Sequence, residues 1–442
     1  MKLLHRTRLI LALACLMAAA CATAPPPAGH PAAPDTVPLA LRRAAFDIVW
    51  KKVDDTFWDR ALLAERDWGG VRERYLPRAL AASDPAEYHR VLHEMVRELR
   101  LSHFAVVGPA AVREAWARPL RATGDAGLRL RLLDGEAVVT RLDPGGAAER
   151  AGIRLGFIID SIDGVPVARA GAASSAPPPR GEVPAAVPAA LEGPIGSPVR
   201  LAYRGAAGPA RSVTFARAPR MGRFRRITLF GIRVPGIPPQ YGEVEARRLA
   251  GGAGYVRFSS FLQSLRPQVV RAIRSMRDAP GLIIDLRGNP GGQDSMGRGV
   301  ANLLAERRMP FIITRKRNGR EVFHVQPDGP GFRGPVVLLL DGGSGSAAEQ
   351  FAAGLQEMRR VTVVGERSMG RDLDATLMKL PTGGMFQYAY GEVLTPSGVV
   401  IEGRGVVPDV EVPLTREALL AGRDPQMEAA FAVIQAAAGS RR

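Results

Sequence analysis

Two stripes of apolar residues recur at helical spacing near the start of the chain. They consist of Phe46, Val49, Trp50, Val53 and Phe57, and of Tyr88, Val91, Leu92, Met95 and Leu99. Apolar positions three to four residues apart line one face of a helix. Asp84 and Pro85 precede the second stripe and are typical of an N-cap and a first helical turn. The pattern predicts an N-terminal helical subdomain over residues 39–123.

Short runs of β-type residues replace the helical period between residues 124 and 219. The predicted strands cover residues 127–130, 137–142, 157–162, 166–167 and 199–203. A stretch rich in Ala, Pro, Ser and Gly, residues 168–198, interrupts them and predicts a loop. We therefore expect a β-rich domain with one long insertion.

Predicted strands and helices alternate over residues 220–432, and residues 433–442 are expected to form a tail. The strands fall at 254–258, 282–286, 310–314 and 336–340, and the helices at 266–277, at 296–304 and from 346 onward. Such alternation predicts an α/β layer with crossover connections. In such layers the functional site gathers at the C-terminal ends of the strands. The predicted fold class is α/β within a multidomain α+β chain.

The first twenty residues have the pattern of an export signal. A basic start and an apolar core are followed by Ala18, Ala19 and Ala20, which predicts a signal peptide over residues 1–20. Cys21 comes next, as in a bacterial lipoprotein processing site, although the three alanines also suit an ordinary signal peptidase. The Pro/Ala-rich residues 21–38 suit a tether. We expect a protein of the bacterial cell envelope, on the periplasmic side, attached to the membrane by a lipid on Cys21.

The charge and the remaining motifs exclude several classes of function. The net charge of +17 comes from arginines scattered over all 442 residues. The sequence has no basic run with interleaved aromatic residues, so nucleic-acid binding is not expected. It also has no metal-ligand cluster, phosphate-binding loop or dinucleotide fingerprint, and we expect no cofactor. The oligomeric state is not indicated by the sequence.

Residues 338–355 have the pattern of a strand, a Gly/Ser turn and a helix that begins near Ser346. Ser346 and Glu349 fit a capping box, which would give the serine a purely structural role. A serine at a helix N-terminus is also favourably placed as a nucleophile, because first-turn amides such as that of Ala347 lack helical partners. Residues 289–292 follow a predicted strand and offer a second amide near glycine, or form an ordinary loop. These patterns leave both interpretations open.

Five motifs occur in one order along the chain. They are residues 99–103 (LRLSH), 143–153 (DPGGAAERAGI), 285–292 (DLRGNPGG), 345–349 (GSAAE) and 401–409 (IEGRGVVPD). In this order they resemble the C-terminal processing peptidase family of serine peptidases, and in particular its branch similar to the catalytic core of tricorn protease. The resemblance covers about residues 40–432. It implies a PDZ-like domain over residues 124–219, a serine peptidase core over 220–432 and a polypeptide substrate.

The resemblance also assigns roles to single residues. It implies Ser346 as the nucleophile, with the backbone amides of Gly291 and Ala347 as the oxyanion hole. The larger branch of the family has a lysine base twenty-five residues after the nucleophile, where this chain has Arg371. A guanidinium does not give up its proton in proteins and cannot act as that base.

The tricorn-like branch supplies the missing base. It uses a histidine, which implies His103 as the base in this chain, Ser102 as the residue that links it to a carboxylate, and Glu402 as that carboxylate. The side chain of an unperturbed histidine titrates near neutral pH and suits this role.

The PDZ-like domain supplies a second predicted site. The resemblance places its carboxylate loop at Gly127, Leu128, Arg129 and Leu130, where C-terminal or unfolded segments of other proteins would bind. The function expected from the sequence is a serine endopeptidase that cleaves exported or envelope polypeptides. Two alternatives remain at this point. One is a peptide- or ligand-binding protein of the same fold without activity, which Arg371 favours, and the other is a serine esterase.

Overall fold

The computed structural model describes residues 36–167, 181, 183, 186–229, 232–233, 237–329 and 331–439. The predicted signal peptide, Cys21 and residues 22–35 of the predicted tether lie outside the described residues. Residues 168–180 of the predicted insertion lie outside them as well.

Four helices form the first part of the described chain. They are α1 (Leu39–Thr56), α2 (Arg60–Glu65), α3 (Trp68–Ala81) and α4 (Pro85–Arg97). Asp84 caps α4, since its carboxylate accepts a hydrogen bond of 2.8 Å from the amide of Glu87. The apolar stripes of α1 and α4 are buried together in one hydrophobic cluster. The helices therefore form where the apolar spacing predicts them.

The helical region is closely joined to the core that follows it. After α4 the chain forms β1 (Ala105–Val107), which pairs antiparallel with residues 385–387, and then α5 (Pro109–Arg121). The helical cluster also contains Leu373, Leu380 and Phe386 from the core. Local periodicity does not reveal such contacts, because their partners are distant in sequence. The loop that carries Ser102 and His103 is thus held against the core.

The β-rich region contains one large sheet and one small sheet. Its elements are β2 (Gly124–Asp125), β3 (Leu128–Leu133), β4 (Glu136–Leu142), α6 (Ala147–Arg150), β5 (Ile158–Ile162), β6 (Val165–Pro166), α7 (Ala186–Leu191), β7 (Glu192–Gly193), β8 (Pro198–Arg204), β9 (Arg211–Ala216) and β10 (Ala218–Pro219). The large sheet is antiparallel in the order β3-β4-β5-β8-β9, with β6 beside β5. Strand β3 is an edge strand, and α7 packs against it.

Two small strand pairs lead from the β-rich region into the core. Their strands are β11 (Arg223–Arg225), β12 (Thr228–Leu229), β13 (Ile232–Arg233) and β14 (Gln240–Gly242). Strand β11 pairs with β14, and β12 pairs with β13.

The core alternates strands and helices as the sequence predicts. Its elements are β15 (Val244–Arg248), a 3-10 turn (Ala250–Gly252), β16 (Gly254–Phe258), α8 (Arg266–Ser275), β17 (Leu282–Asp285), α9 (Asp294–Ala301), β18 (Met309–Lys316), β19 (Gly319–Val325), β20 (Val336–Leu340), α10 (Ala347–Glu357), β21 (Thr362–Gly365), β22 (Leu373–Lys379), β23 (Met385–Leu394), β24 (Val410–Glu411), α11 (Arg416–Leu420) and α12 (Pro425–Gly439). The chain is therefore a multidomain protein of mixed helices and sheets with an α/β core.

The central sheet positions the candidate site. Its strand order is β15-β16-β17-β20-β21-β24, and all its pairs except β15-β16 are parallel. Every residue of β17 and β20 is buried, as expected of parallel strands covered on both faces. Asp285 at the end of β17 lies opposite Leu339 near the end of β20. The loops that follow these two strands therefore meet at one edge of the sheet.

A second sheet joins the helical region to the core. It has the order β1-β23-β18-β19, and β22 also pairs with β23. All these pairs are antiparallel. Strand β22 begins at Leu373, directly after the segment that contains Arg371.

The C-terminus differs from its sequence prediction. A tail was expected over residues 433–442, but α12 continues to Gly439. Ile434 is 4% exposed and packs with Ile283, Leu339 and Val364 of the central sheet. The prediction of a tail from residue 433 is wrong because this apolar contact holds the helix onto the sheet. Among the described residues, no helix is both long enough and apolar enough to span a membrane.

Candidate active site

Ser346 lies in the tight turn between β20 and α10. Its backbone has φ 51° and ψ −125°, a conformation that non-glycine residues rarely adopt and that is typical of strained functional positions. The amide of Ser346 donates to the carbonyl of Arg371 at 3.0 Å. It is also 3.0 Å from Oε2 of Glu349. The surrounding chain thus holds the serine backbone in this conformation.

Glu349 accepts a hydrogen bond from the amide of Ser346, as the predicted capping box requires, and it also binds residues that follow β21. Its fully buried carboxylate also accepts hydrogen bonds from the amides of Gly370 at 2.7 Å and Arg371 at 3.0 Å, and from the hydroxyl of Ser368 at 2.5 Å. Burial raises the pKa of Glu349, whereas these hydrogen bonds oppose that change. Glu349 therefore connects the serine turn to residues 368–371.

His103 faces Ser346 across the cleft. Its Nε2 atom is 3.3 Å from the Oγ atom of Ser346, although 243 residues separate the two in sequence. Burial, together with the nearby charge of Arg371, lowers the pKa of His103 to about 4. The imidazole is therefore neutral at physiological pH, which is the form that can accept a proton. Helix capping and contact with His103 are compatible roles for Ser346.

Ser102 and Glu402 orient the histidine. The hydroxyl of Ser102 donates to Oε2 of Glu402 at 2.7 Å and lies 2.7 Å from Nδ1 of His103. Because that hydroxyl has one hydrogen, it accepts from Nδ1–H of the histidine. This assigns the proton of the neutral imidazole to Nδ1 and leaves the lone pair of Nε2 facing Ser346. The amide of Ser102 also donates to Glu402, at 2.7 Å.

The two predicted oxyanion donors differ in their availability. In the described part of the chain, the Ala347 amide has no hydrogen-bond partner. The Gly291 amide instead donates to Oδ1 of Asn289 at 2.9 Å. Gly291 nevertheless lies against the serine turn, since a Cβ atom there would be 2.7 Å from Cβ of Ser346 and 2.8 Å from the Ala347 nitrogen. The structure places Gly291 at the site but engages its amide elsewhere.

Arg371 lies beside Ser346, at the position where the resemblance predicted a lysine in the larger branch of the family. Its backbone contacts both Ser346 and Glu349, and its side chain is exposed. No carboxylate of the described residues forms an ion pair with it. Its positive charge contributes to the low pKa of His103 and thus favours the neutral imidazole. Arg371 therefore acts on the histidine electrostatically instead of taking up a proton itself.

A cluster of carboxyl groups, two of them buried and one half-buried, lies beneath the serine turn and was not found by sequence reasoning. It contains Asp294, Asp372 and Asp374, and Gln350 donates to Asp372 at 3.0 Å and to Asp374 at 3.4 Å. Burial and the neighbouring Asp374 raise the pKa of Asp294 to about 7. Burial and Glu349 likewise raise the pKa of Asp372. No group of three or more His, Cys, Asp or Glu residues in the described ranges is arranged to hold a metal ion.

The predicted carboxylate loop borders a groove in the β-rich region. Leu128 and Leu130 of β3 line a cavity of about 580 Å³ together with Val183, Val187 and Leu191, which include residues of α7. The cavity continues to Arg287 and Asp341 near the end of the central sheet. The groove thus opens toward the core.

Two groups of the carboxylate loop already have an internal partner. Oδ1 of Asp125 accepts hydrogen bonds from the amide of Gly127 at 2.7 Å and from Nη1 of Arg129 at 3.0 Å. The side chain of Arg129 is only 33% exposed and is paired, so it is neither a free counter-charge nor an ordinary surface arginine. The sequence placed the loop but did not reveal Asp125.

A buried arginine of β3 connects the β-rich region to the serine turn. Arg131 forms an ion pair of 2.6 Å with Glu366 and one of 3.5 Å with Asp341. Asp341 in turn accepts from the amides of Gly288 at 2.8 Å and Gly343 at 3.0 Å. The carboxylate that receives Arg131 therefore also holds both loops of the candidate site.

These contacts provide the groups that serine-type hydrolysis requires: a strained serine at a helix N-terminus, a neutral histidine facing it, and a carboxylate that orients the histidine through a second serine. Residues 252–412 match the family model described as Peptidase family S41, and residues 38–97 match the Tricorn protease C1 domain. The chain therefore contains S41 peptidase and Tricorn C1 domains and is a homologue of C-terminal processing proteases, which indicates a hydrolase of the serine peptidase type.

Individual relatives support the assignment. The chain is 26% identical over 382 residues to the chloroplastic C-terminal processing peptidase of Tetradesmus obliquus, covering 82% of this chain and 75% of that protein. It is 28% identical over 420 residues to the putative tricorn protease homolog 2 of Streptomyces coelicolor, covering 89% of this chain but only 32% of that protein. A solved structure of the photosystem II D1 C-terminal processing protease has the same fold, with a TM-score of 0.56, 24% identity and coverage of 86% of this chain and 96% of that one.

Proposed function

We propose that this protein is a serine endopeptidase in which Ser346 attacks the scissile carbonyl and His103 takes the proton from its hydroxyl. One observation carries the proposal: Glu402, Ser102, His103 and Ser346 form a continuous series of polar contacts of 2.7, 2.7 and 3.3 Å. Proton transfer from Oγ to Nε2 leaves an imidazolium, and the adjacent Ser102–Glu402 pair stabilises that positive charge.

The oxyanion that forms on the substrate needs hydrogen-bond donors. The Ala347 amide is the donor that the helix leaves unpaired. The Gly291 amide becomes the second donor when it releases Oδ1 of Asn289 and donates to the oxyanion instead. Only a small movement is needed, because Gly291 lies against Ser346. When the tetrahedral intermediate collapses, His103 gives its proton to the leaving amine, and the C–N bond breaks to leave the acyl-enzyme. His103 then takes a proton from the water that hydrolyses the acyl-enzyme.

The β-rich region supplies the proposed substrate-binding module. Among the described residues, no strand pairs with the outer edge of β3 over Leu128–Leu130, although the carbonyl of Leu128 accepts a hydrogen bond from Nη1 of Arg129 at 2.7 Å. Further along the strand, the amide of Leu132 donates to the carbonyl of Gly181 at 2.8 Å. An extended polypeptide can add to such an edge as a further strand, with its side chains in the apolar cavity. We propose that C-terminal or unfolded segments of exported proteins bind there in the manner of a PDZ domain.

We also propose that the protein acts on the periplasmic side of a bacterial cell envelope and is attached by a lipid on Cys21. The support is the sequence alone, with its basic and apolar start and the alanines before the cysteine. Incorporation of labelled palmitate into the full chain but not into Cys21→Ser tests the attachment. A Cys21→Ser protein that retains the label would contradict it.

The experiment that tests the catalytic proposal is fluorophosphonate labelling of the chain from residue 38, read by intact mass. We expect one adduct, lost in Ser346→Ala and His103→Ala and retained in Arg371→Lys. The matched control is Ser295→Ala, which removes a half-buried serine of the same core that hydrogen-bonds to Gln263 and not to His103. If the folded chain gives no adduct, or if the adduct survives in Ser346→Ala, Ser346 is not the nucleophile.

A further inference from the structure

The carboxylate of Asp125 occupies the place where the β3 groove would receive the carboxylate of a peptide. The groove ends at the turn between β2 and β3, which contains Gly127 with φ 80°. A backbone amide and an arginine at such a turn can bind an anion. Here both groups converge on a single oxygen, Oδ1 of Asp125, at 2.7 Å and 3.0 Å. Asp125 is only 5% exposed, so its carboxylate is a fixed, buried part of the groove wall.

The charge around this turn is already compensated without a ligand. Besides Asp125, the buried carboxyl group of Asp143 lies beside Gly127, 3.6 Å from where a Cβ atom of that glycine would be. The next two arginines along the groove, Arg220 and Arg118, share the carboxylate of Glu192, at 2.8 and 2.6 Å. An incoming carboxylate would therefore meet two carboxyl groups and compete with Asp125 for Arg129. Such a ligand would lose its hydration without gaining an unpaired cation.

The rest of the groove remains suitable for an extended peptide. Leu128 and Leu130 lie on an edge that pairs with no strand of the described chain, and Val183 and Val187 provide an apolar wall. The strand edge binds the backbone of a peptide and the apolar wall binds its side chains. Both kinds of contact can form with a segment from the middle of a polypeptide as well as with its end. Resting on the proposed function and narrowing it, we infer that the groove binds internal, unfolded segments of polypeptides instead of C-terminal ones. It rejects free C-terminal carboxylates, and Asp125 determines this choice.

Binding of two matched peptides tests the inference. The probes are one fluorescein-labelled ten-residue peptide with an apolar end, prepared as the free acid and as the C-terminal amide, and binding is followed by fluorescence anisotropy. The proteins carry Ser346→Ala to prevent cleavage. We expect the amide to bind about tenfold more tightly than the acid. In Asp125→Asn, which frees the charge of Arg129, the acid should gain about 10- to 100-fold and become the preferred ligand.

Asp160→Asn is the matched control, because Asp160, on β5 of the β-rich region, is likewise bonded to an arginine, Arg204, but lies outside the groove. It should leave the acid-to-amide ratio unchanged. A wild-type groove that prefers the acid, with a ratio that Asp125→Asn does not change, would overturn the inference. Failure of both peptides to bind would overturn the groove as a peptide site altogether. Fluorophosphonate labelling of the same variants with Ser346 restored shows separately whether the peptidase site is intact.

Discussion

Glu402 accepts hydrogen bonds from both the amide and the hydroxyl of Ser102, each at 2.7 Å, across 300 residues of sequence. Oε2 of Glu402 also accepts from the amide of Asp372 at 2.8 Å. All three bonds need an acceptor, so the glutamate determines the direction of the hydrogen bonds as far as Nε2 of His103. The histidine is thereby held in the tautomer that can act as a base.

Replacing this acceptor should reduce catalysis without unfolding the protein. Glu402→Gln places an NH₂ group against one of three donors, so the orientation of Ser102 and His103 is lost. We expect kcat/KM to fall by about 10²-fold or more, and Ser102→Ala to cause a loss of similar size. Peptide cleavage and circular dichroism provide the measurements. Glu411→Gln, at an exposed glutamate of β24, should retain full activity. Full activity in Glu402→Gln would show that the histidine needs no such support.

The pH dependence of activity should report His103. Since its pKa is lowered to about 4, kcat/KM should stay high at neutral pH and fall only when the pH drops through that value and the imidazole becomes protonated. Arg371→Gln removes one cause of the low pKa. Its acid limb should therefore move to higher pH, while remaining below the ordinary 6.5 because burial persists. Arg404→Gln, at an exposed arginine, serves as the control. An unchanged acid limb in Arg371→Gln would contradict the electrostatic role.

Gly291 and Gly288 provide a matched pair of glycines with positive φ, 95° and 66°. A Cβ atom at Gly291 would lie 2.5 Å from the carbonyl oxygen of Gly345, whereas one at Gly288 would meet nothing within 4 Å. Both alanine variants should lose about 1–2 kcal/mol of stability from backbone strain. Only Gly291→Ala should also displace the serine turn and abolish fluorophosphonate labelling. Equal labelling rates in the two variants would argue against a tight contact at Gly291.

The sequence predicted the elements of this protein well where the signal was local. The stripes of α1 and α4, the buried run of β20 and the turn at Ser346 all lie where periodicity and turn residues placed them. The α/β class followed from strand and helix alternation. The family motifs, rather than periodicity, selected His103 and Glu402, since nothing local to Ser346 indicates a partner 243 residues away.

The features that the sequence did not reveal depend on long-range burial. The extension of α12 beyond residue 433 depends on the packing of Ile434 against the central sheet. The alanines around Ile434 give no indication in the sequence that this segment packs against the core. The Gly291 amide was expected to be free, but the side chain of Asn289 takes it. Asp125 and the carboxyl cluster around Asp372 have no sequence signature, because single aspartates are common and only the fold buries them.

The carboxyl cluster beneath the serine turn should make the free energy of unfolding depend on pH. The pKa of Asp294 is raised from 3.8 to about 7, mainly by burial and then by Asp374. The folded state therefore binds more protons than the unfolded state between these values, and the free energy of unfolding falls as the pH rises through this range. Asp294→Asn should flatten the slope, which is at most about 1.4 kcal/mol per pH unit for one proton. Urea unfolding from pH 5 to 8 measures it. A slope that remains in Asp294→Asn would assign the extra proton to another group.

Arg131 should contribute more to the free energy of unfolding than an arginine in surface ion pairs, because its partner Asp341 is nearly inaccessible to solvent. Arg131→Met would leave the charges of Asp341 and Glu366 without their cation, at a cost of roughly 3 kcal/mol. Since Asp341 also holds Gly288 and Gly343, fluorophosphonate labelling should slow as well. Arg204→Met is the comparison, since that arginine pairs with Asp160 and Glu136 while 42% exposed, and it should lose at most about 1 kcal/mol and label normally. If both variants lose the same stability in urea and label alike, the contact between β3 and the serine turn has no special role.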